Sequence, residues 1–293
     1  MKSKFLKLTY LLVIVIIGYS LTHLGNFGPT SPNPVSINQA GDSVSVLSTG
    51  QADSAVISSG GKYCLIDAGS TLSGHTDAVT YLSNWGVTEL ELVVVTHFHT
   101  DHASDIIDVM NNFRINNMVI PNLSQQNMPT TSFFELFLDT AEKRNIKLIP
   151  ARKGDTYTVG NGVLKILDDT YNDLTVNDTS VATLFTQGEF TFLSTGDGET
   201  EYEERLLKVF DSKVTLFVAG HHGSSTSNSK KFIETVRPEF IAFSAGKENE
   251  YGHPHREVLK LAEKNKIPYG ITFRDGTIVY SITHNKLLTK AGG

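Results

Sequence analysis

Seven consecutive residues, Thr96-His97-Phe98-His99-Thr100-Asp101-His102, place three imidazoles and one carboxylate directly after the apolar run Glu91-Leu92-Val93-Val94-Val95. A β-branched run of this kind is typical of a buried strand. Imidazole and carboxylate are the usual ligands of zinc and similar divalent ions. In an extended or tightly looped segment His97 and His99 point the same way and can share one ion. Asp101 and His102 lie on the next turn, where they can hold a second ion.

Two later strand ends supply further candidate ligands. Phe192-Leu193-Ser194-Thr195-Gly196-Asp197 is a predicted strand that ends in a carboxylate, which is suited to bridging two ions opposite the histidine loop. Phe217-Val218-Ala219-Gly220-His221-His222-Gly223 places two adjacent histidines at the end of another strand. Because adjacent side chains diverge, we expect one of these two histidines to bind metal and the other to face the substrate or a nearby acid.

Three other positions give weaker signals. Asp67 ends the apolar run Tyr63-Cys64-Leu65-Ile66, where a carboxylate can orient a metal ligand of a neighbouring loop. Asp178 is suited to complete the shell of the first ion, although an Asx turn or a cap explains it equally well. The loop from Ser244 to His255 follows a strand and starts a helix, so its amides and imidazoles are suited to an anionic ligand.

The composition describes a globular protein with a sizeable core. The chain has 293 residues, of which 40% are hydrophobic and 19% are charged. Its formal net charge of −6 argues against tight, nonspecific binding to nucleic acid. The single cysteine, Cys64, is predicted to be a buried core residue, and it excludes an intrachain disulfide.

The first 39 residues are predicted to lie outside the main domain. Three lysines within the first seven residues precede an almost uncharged apolar run, which indicates a signal peptide or an N-terminal membrane anchor over residues 1–24. The run is short for a membrane span and lacks an Ala-x-Ala site, so its cleavage stays open. The lysines are expected to stay in the cytoplasm, which places the rest of the chain outside it. Residues 25–39 are rich in Asn, Pro, Ser and Gly and are predicted to form a flexible linker.

Residues 40–293 are predicted to form one α/β domain. Short strands alternate with amphipathic helices in both halves, and residues 181–185 and 190–193 have the pattern of a hairpin. Residues 269–273 and 277–280 are predicted to be closing strands on either side of Asp275-Gly276. Two halves that each combine a sheet with helices favour a four-layer αββα sandwich.

The histidine segment after its hydrophobic strand resembles the metal-binding signature of the metallo-β-lactamase fold superfamily. Further motifs of this resemblance occur in order along the chain: Gly50-Gln51-Ala52-Asp53-Ser54, Leu65-Ile66-Asp67-Ala68-Gly69, Asn177-Asp178-Thr179-Ser180, Thr195-Gly196-Asp197, His221-His222-Gly223-Ser224, Ser244-Ala245-Gly246-Lys247-Glu248-Asn249 and Tyr251-Gly252-His253-Pro254-His255. The ordered set is similar to the hydrolase domain of competence DNA-uptake channels of the ComEC/Rec2 type and to their free-standing secreted relatives. The bacterial phosphorylcholine esterase domain is similar too.

This resemblance implies a metallo-β-lactamase sandwich in which His97 and His99 bind one metal ion and Asp101 and His102 bind the other. It also implies that Asp197 bridges the ions and that a histidine of the adjacent pair completes the site. The chain departs from the channel proteins, because at most one membrane segment is expected. It departs from classical β-lactamases as well, because no histidine occurs between residues 102 and 221. The latter departure favours a site of the phosphoesterase type.

We therefore predict an extracytoplasmic binuclear metal-dependent hydrolase, a phosphodiesterase or nuclease-like enzyme that uses a metal-bridging hydroxide. Zinc is the expected ion, and manganese is the alternative. The predicted metal ligands are His97, His99, Asp101, His102, Asp178, Asp197, His221 and His222. Catalytic roles are predicted for Asp101, Asp197, His222 and His253, and substrate contacts for His221, Ser224, Ser244, Asn249 and His253.

The expected partners are a phosphate-ester substrate, either nucleic acid or a cell-wall polymer, and the membrane through the N-terminal segment. No protein partner is predicted, and the chain is expected to be anchored by its N-terminus or secreted. Two alternatives stay open. One is acyl or lactam hydrolysis on the same metal site, and the other is a non-catalytic, surface-tethered binding module.

Overall fold

A computed structural model describes residues 41–70, 77–124, 128–168 and 175–288 of the chain. All of them lie within the unit Ile37–Gly293. The signal peptide or anchor and the linker predicted for the first 39 residues lie outside the described residues and stay predictions. Within the described ranges, no helix combines the length and the apolar character that crossing a bilayer requires.

The described residues form strands and helices that are numbered here in chain order. The strands are β1 (Ser43–Val46), β2 (Ala55–Ser59), β3 (Lys62–Ile66), β4 (Glu89–Leu90), β5 (Leu92–Val94), β6 (Arg114–Ile115), β7 (Met118–Ile120), β8 (Leu148–Pro150), β9 (Thr156–Val159), β10 (Gly162–Asp168), β11 (Ala182–Gln187), β12 (Phe190–Ser194), β13 (Leu216–Val218), β14 (Phe240–Phe243), β15 (Tyr269–Ile271), β16 (Ile278–Ser281) and β17 (Lys286–Leu287). The α-helices are α1 (Ala78–Asn84), α2 (Thr100–Ala103), α3 (Ile106–Asn112), α4 (Ser132–Lys143), α5 (Thr200–Leu206), α6 (Lys230–Val236), α7 (Arg256–Lys264) and α8 (Thr272–Asp275). Two 3₁₀ turns cover Asn177–Thr179 and Gly220–Gly223.

Two mixed sheets form the centre of the fold. The first sheet has the strand order β17-β16-β1-β2-β3-β5-β7-β8, and the second has the order β15-β14-β13-β12-β11-β10-β9. Strands β3, β5, β7 and β8 run parallel in the first sheet, and β12 to β15 run parallel in the second. Ligand sites of α/β sheets lie outside the carboxyl ends of parallel strands. The loops after β5, β12, β13 and β14 carry the predicted site residues, so the topology brings these residues to such ends.

Three apolar clusters show the four layers. One cluster combines residues of both sheets, such as Val94 of the first and Phe192 of the second, and fills the space between them. A second cluster packs α1, α3 and α4 on the outer face of the first sheet, and a third packs α5, α6 and α7 on the outer face of the second. The predicted αββα sandwich is therefore confirmed.

Strand β5 shows why polar and apolar residues do not alternate in the run before the histidine loop. Leu92 and Val94 face the core between the sheets, whereas Val93 and Val95 face the helices. Successive side chains of a strand point to opposite faces, and a parallel strand covered on both faces needs apolar residues at every position. Cys64 of the neighbouring strand is buried in the same core, as predicted.

The prediction for the last strands was partly wrong. Strand β15 ends at Ile271, and the following residues form α8 instead of continuing the strand. The Asp275 carboxylate accepts a hydrogen bond from the Ile271 N–H at 2.8 Å, and Gly276 follows with a φ of 73°, so the chain turns there. The chain then crosses to the first sheet, where β16 pairs with β1. The two strands thus belong to different sheets and do not form a pair.

Candidate metal centre

The first two histidines of the loop between β5 and α2 lie close to each other and to Asp197. His97 Nε2 lies 3.1 Å from His99 Nδ1 and 3.7 Å from Asp197 Oδ2. One ligand atom from each of these residues lies within 4.8 Å of the other two. The other nitrogen of His97, Nδ1, lies 3.2 Å from the hydroxyl of Thr96, which leaves Nε2 facing the group. We call this set, His97, His99 and Asp197, the first ligand group.

A second ligand group, Asp101, His102, Asp197 and His222, forms beside the first. His102 Nε2 lies 2.9 Å from Asp197 Oδ1, and His222 Nε2 lies 3.2 Å from Asp101 Oδ2. One ligand atom from each of the four residues lies within 4.8 Å of the others. The second group therefore offers two imidazoles and two carboxylates.

Asp197 belongs to both ligand groups. Its Oδ2 atom faces His97, and its Oδ1 atom faces His102. The preceding residue, Gly196, has a φ of 54°, and a Cβ atom there would lie 2.7 Å from the Ser180 hydroxyl. Only glycine fits this combination of a left-handed backbone and close approach. The glycine thus allows the turn after β12 to place the shared carboxylate between the two groups.

Asp67 orients the ligand His102. Its carboxylate accepts hydrogen bonds from the N–H and the hydroxyl of Thr96, both at 2.7 Å, and lies 2.7 Å from His102 Nδ1. A carboxylate on one ring nitrogen fixes the orientation of an imidazole whose other nitrogen binds metal. The expected acceptance of hydrogen bonds from a neighbouring loop is confirmed.

His222 is oriented from the second half of the chain and from the loop after β1. Its Nδ1 atom lies 3.0 Å from the carbonyl oxygen of Ser244 and 3.4 Å from Asp53 Oδ1. With the Nδ1–H donated to the carbonyl, Nε2 is free to act as a ligand. His221 and His222 have φ values of 50° and 54°, a left-handed backbone that costs energy for residues other than glycine. The strained turn directs both imidazoles toward the centre.

His221 belongs to neither ligand group among the described residues. Its Nε2 atom lies 3.7 Å from Asp197 Oδ2, and its Nδ1 atom lies 3.4 Å from the Thr226 hydroxyl and 3.9 Å from Glu199 Oε1. The ring is partly exposed and lines a cleft beside the centre. This geometry favours His222 as the metal ligand of the pair and leaves His221 on the wall of the cleft.

Burial and neighbouring charges shift the pKa values of the centre in opposite directions. Burial, together with the charge of His102, lowers the pKa of His97 well below its usual value. Burial also lowers the pKa of His102, but Asp197 and Asp67 more than offset it and raise the pKa well above its usual value. For Asp197, burial is outweighed by His102 and His222, which hold the pKa of the carboxyl well below its usual range. The shared aspartate is therefore ionised, which is the state that a metal ligand requires.

The residues present fit divalent metal ions. Within the described residues, the buried His102 and Asp197 face each other at 2.9 Å in a centre whose imidazole and carboxylate atoms lie within 4.8 Å of one another. Buried charged groups are costly unless they are paired or coordinate a metal ion. Imidazole nitrogens and carboxylate oxygens are the donors that zinc and manganese accept.

A cleft of about 770 Å³ opens beside both groups. Its walls include Gln51 and the loop that follows β14, in particular Asn249 and His253. Asn249 organises that loop, because its side chain accepts the His253 N–H at 2.9 Å and donates to the His253 carbonyl at 2.6 Å. Burial and the neighbouring His222, His221 and His255 lower the pKa of His253 to about 4. His253 is therefore neutral at neutral pH.

Three of the predicted residues belong to neither ligand group, and their side chains make other contacts. Asp178 accepts hydrogen bonds from the Glu199 N–H at 3.0 Å and from the Thr175 hydroxyl at 3.3 Å, and it is in neither ligand group. The Ser224 hydroxyl pairs with Thr226, at 3.1 Å. The Ser244 hydroxyl donates to the Ala52 carbonyl at 2.7 Å, so Ser244 supports His222 through its own carbonyl and does not line the cleft.

Sequence reasoning missed four residues of the site. Asp53 contacts His222, and Glu199 approaches His221, as described above. Gln51 joins two loops of the cleft, because its side chain accepts the Gly246 N–H at 3.0 Å and lies 3.3 Å from His253 Nδ1. Tyr251 lines the cleft. Gln51, Asp53 and Tyr251 all lie within the ordered motifs, and this position could have indicated a role in the site. For Glu199 the sequence offered no such signal beyond its position after Asp197.

The family comparison agrees with this geometry. A model of the metallo-beta-lactamase superfamily matches residues 47–240, more than half of the chain, and this range contains every member of both ligand groups. The chain belongs to the metallo-beta-lactamase superfamily. It is accordingly a metal-dependent hydrolase by family, and the two ligand groups support a site for two metal ions.

Two curated relatives narrow this assignment. The chain is 27% identical to ComE operon protein 3 of Bacillus subtilis over 81% of its own length and 32% of that protein. It is 28% identical to competence protein ComA of Neisseria gonorrhoeae over 88% of its own length and 35% of that protein. The predicted resemblance to competence proteins of the ComEC/Rec2 type is thereby confirmed. The chain spans about a third of the length of these relatives.

A solved structure supports the fold alone. The metallo-beta-lactamase fold protein YhfI of Bacillus subtilis superposes with a TM-score of 0.53 at 15% identity. The match covers 78% of this chain and 96% of YhfI.

Proposed function

We propose that the protein hydrolyses phosphodiesters outside the cytoplasm with two divalent metal ions, most simply zinc. The observation that carries the proposal is the position of Asp197, whose two oxygens face two separate ligand groups. A shared carboxylate of this kind holds two ions close together. Such a pair lowers the pKa of a bound water and clamps the attacking and leaving oxygens of a phosphoryl transfer.

The residues divide into ligands and cleft residues. His97, His99 and Asp197 would hold one ion, and Asp101, His102, Asp197 and His222 the other. Asp101 suits this role, because His222 and His102 outweigh its burial and hold its pKa at about 2. His221 and His253 line the cleft beside the ions, where their ring nitrogens can hydrogen-bond to phosphoryl oxygens. The neutral state of His253 favours this hydrogen-bonding role over that of a proton donor.

The first ligand group supports a phosphodiester over a lactam. Among the described residues this group combines two imidazoles with one carboxylate, and the chain between residues 102 and 221 holds no further histidine. One relative is named recombination protein 2, which favours nucleic acid among the phosphodiesters, with a cell-wall polymer as the alternative. The apolar run behind the N-terminal lysines supports the extracytoplasmic location and a membrane anchor or secretion.

The test measures metal content and hydrolysis on the full chain. We expect about two metal ions per chain by elemental analysis, and chelator-sensitive hydrolysis of bis-p-nitrophenyl phosphate. The double variant His97→Ala/His99→Ala is expected to lose the first ion and at least 100-fold of the turnover, in line with two-metal chemistry, while staying folded.

Three results would count against the proposal. Full turnover in the double variant would exclude the first group from the mechanism. Hydrolysis of nitrocefin in place of the phosphodiester would assign the site to lactams. A folded protein without metal and without turnover would favour the non-catalytic binding module.

A further inference from the structure

Tyr251 stands at the rim of the cleft with its side chain open to solvent. The residue is 58% exposed and lines the cleft, as do the centre residues Asp101 and His221. An exposed aromatic ring at the rim of a cleft offers a face on which a planar ligand group can stack. The position of Tyr251 therefore suits a ligand group that covers it.

The ring of Tyr251 is held in place from behind. It stacks on the imidazole of His253 with a centroid distance of 5.6 Å and an interplanar angle of 25°. The main chain is fixed as well, because His255 Nε2–H donates to the Tyr251 carbonyl at 3.0 Å. One face of the tyrosine is therefore backed by a ring, and the exposed remainder is available to a ligand.

His253 connects this rim to the metal centre. Its ring lies 5.5 Å from that of His221, edge to face, and 6.2 Å from that of His222. Asn249 binds both its N–H and its carbonyl and holds the main chain, and the side-chain nitrogen of Gln51 lies 3.3 Å from Nδ1 of the ring. A row of rings thus runs from the centre outward to Tyr251.

We propose that Tyr251 is a stacking subsite for a planar ring attached to the scissile phosphodiester, with a nucleobase as the chemical class. The proposal rests on the phosphodiesterase function proposed above. A phosphate at the centre places its substituent along the row of rings, where the open face of Tyr251 can cover a base. Base–aromatic stacking of this kind contributes about tenfold or more in affinity.

The charges of the rim favour a substrate with few phosphates. Glu248 and Glu250 line the cleft beside Tyr251, and Lys247 is the only lysine or arginine among the described lining residues. Additional phosphates of a long strand would meet this acidic rim and be repelled. The subsite therefore suits a chain end or a dinucleotide better than the middle of a strand.

The experiment compares two substrates that differ only in their bases. The metal-loaded full chain is assayed with thymidylyl-thymidine and with the same phosphodiester lacking both bases. We expect kcat/KM to be about tenfold higher for the substrate with bases, mainly through KM, because Tyr251 does not touch the reacting atoms. Tyr251→Ala should remove this preference, mainly by raising KM for the substrate with bases, so that the two substrates have similar kcat/KM.

Two control variants and a binding measurement sharpen the test. Tyr251→Phe retains the ring and should keep the preference, and Phe273→Ala removes an exposed ring outside the described cleft lining and should not affect it. The affinity for thymidine 5′-monophosphate, measured by calorimetry, should fall about tenfold in Tyr251→Ala only.

Equal hydrolysis of the two substrates, or an unchanged preference in Tyr251→Ala, would overturn the subsite and leave the proposed phosphodiesterase function intact. Hydrolysis of no phosphodiester at all would overturn the proposed function itself.

Discussion

The side-chain amide of Asn228 donates a hydrogen bond to the carbonyl oxygen of Gly220 at 2.8 Å. The same nitrogen donates to the Ser224 carbonyl at 3.0 Å, so one buried amide ties both ends of the turn that carries the two adjacent histidines. If the side-chain amide of Asn228 were flipped so that its nitrogen and oxygen exchanged places, its oxygen would face the two carbonyl oxygens and make no hydrogen bond with them. Asn228 is itself fixed by Glu203, whose carboxylate accepts the Asn228 N–H. This contact stabilises the left-handed backbone of the histidine turn from outside the ligand groups.

Replacing Asn228 by Ala should loosen the turn and lower the affinity of the second ligand group for its metal ion. Two carbonyl groups would lose a buried donor, at a cost of about 1–3 kcal/mol for each unsatisfied group. Because His222 belongs to the second ligand group, we expect the affinity for one of the two ions to fall at least tenfold, as titration against a chromophoric chelator would measure. The affinity for the other ion should stay close to that of the unmodified chain.

The matched control is Asn265→Ala. The Asn265 side chain also donates to a carbonyl, that of Leu261 at 2.9 Å, but at the exposed end of α7. Its loss should leave both metal affinities unchanged. Equal affinities in the Asn228 variant and the unmodified chain would show that the turn holds its shape without this amide.

Gly69→Ala should displace the metal loop. A Cβ atom at Gly69 would lie 1.7 Å from the carbonyl oxygen of Asp101, which is backbone and cannot swing aside. We expect a loss of about 3 kcal/mol or more of unfolding free energy, in the range of overpacked cores, measured by urea denaturation. Gly61→Ala is the control, because its φ of 73° is strained but no atom lies within 4 Å, so only about 1 kcal/mol should be lost.

The sequence predicts the part of the site that is local. His97, His99, Asp101 and His102 fall in one segment after a buried strand, so strand geometry and ligand chemistry suffice to group them. Asp197 was predicted from its place at a strand end, where a carboxylate opposite the histidine loop is suited to bridging two ions. The four-layer sandwich could be predicted too, because each half of the chain combines apolar strands with amphipathic helices.

The remaining part depends on contacts that no local pattern encodes. The Ser244 hydroxyl donates to the carbonyl of Ala52, which is far away in the chain, and Ser244 is not among the residues that line the cleft. Asp178 has the same local sequence whether it binds metal or caps a turn, and the Glu199 N–H that donates to its carboxylate lies in a distant part of the chain. Glu203 escapes notice for the same reason, because its partner Asn228 lies in a different segment, the loop between β13 and α6.

The shared position of Asp197 predicts different metal losses for two variants. Asp197→Ala removes a ligand from both groups, so we expect less than one ion per chain by elemental analysis. His222→Ala affects the second group alone and should leave about one ion, since the first group keeps all its members. Equal metal content in the two variants would contradict the division into two groups.

Glu203 should make the stability of the protein depend on pH independently of the metal. Burial raises the pKa of its carboxyl from 4.5 to about 7, against hydrogen bonds from Ser229 and Asn228 that lower it. The folded protein thus binds this proton more tightly than the unfolded chain. The resulting stabilisation is fully present below about pH 4.5 and is lost as the pH rises through about 7.

The size of this effect follows from linkage. A pKa difference of this size corresponds to roughly 3 kcal/mol, most of which lies between pH 5 and pH 8. Glu203→Gln cannot ionise, so its unfolding free energy relative to the unmodified chain should be lower at pH 5 than at pH 8 by roughly 2–3 kcal/mol. Urea denaturation at both pH values, with a chelator present, measures this difference without a contribution from metal binding.

The neighbouring Glu204 is exposed, and Glu204→Gln should show no such change. A pH-independent difference for Glu203→Gln would mean that hydrogen bonds from the Asn228 turn keep the carboxylate ionised despite its burial.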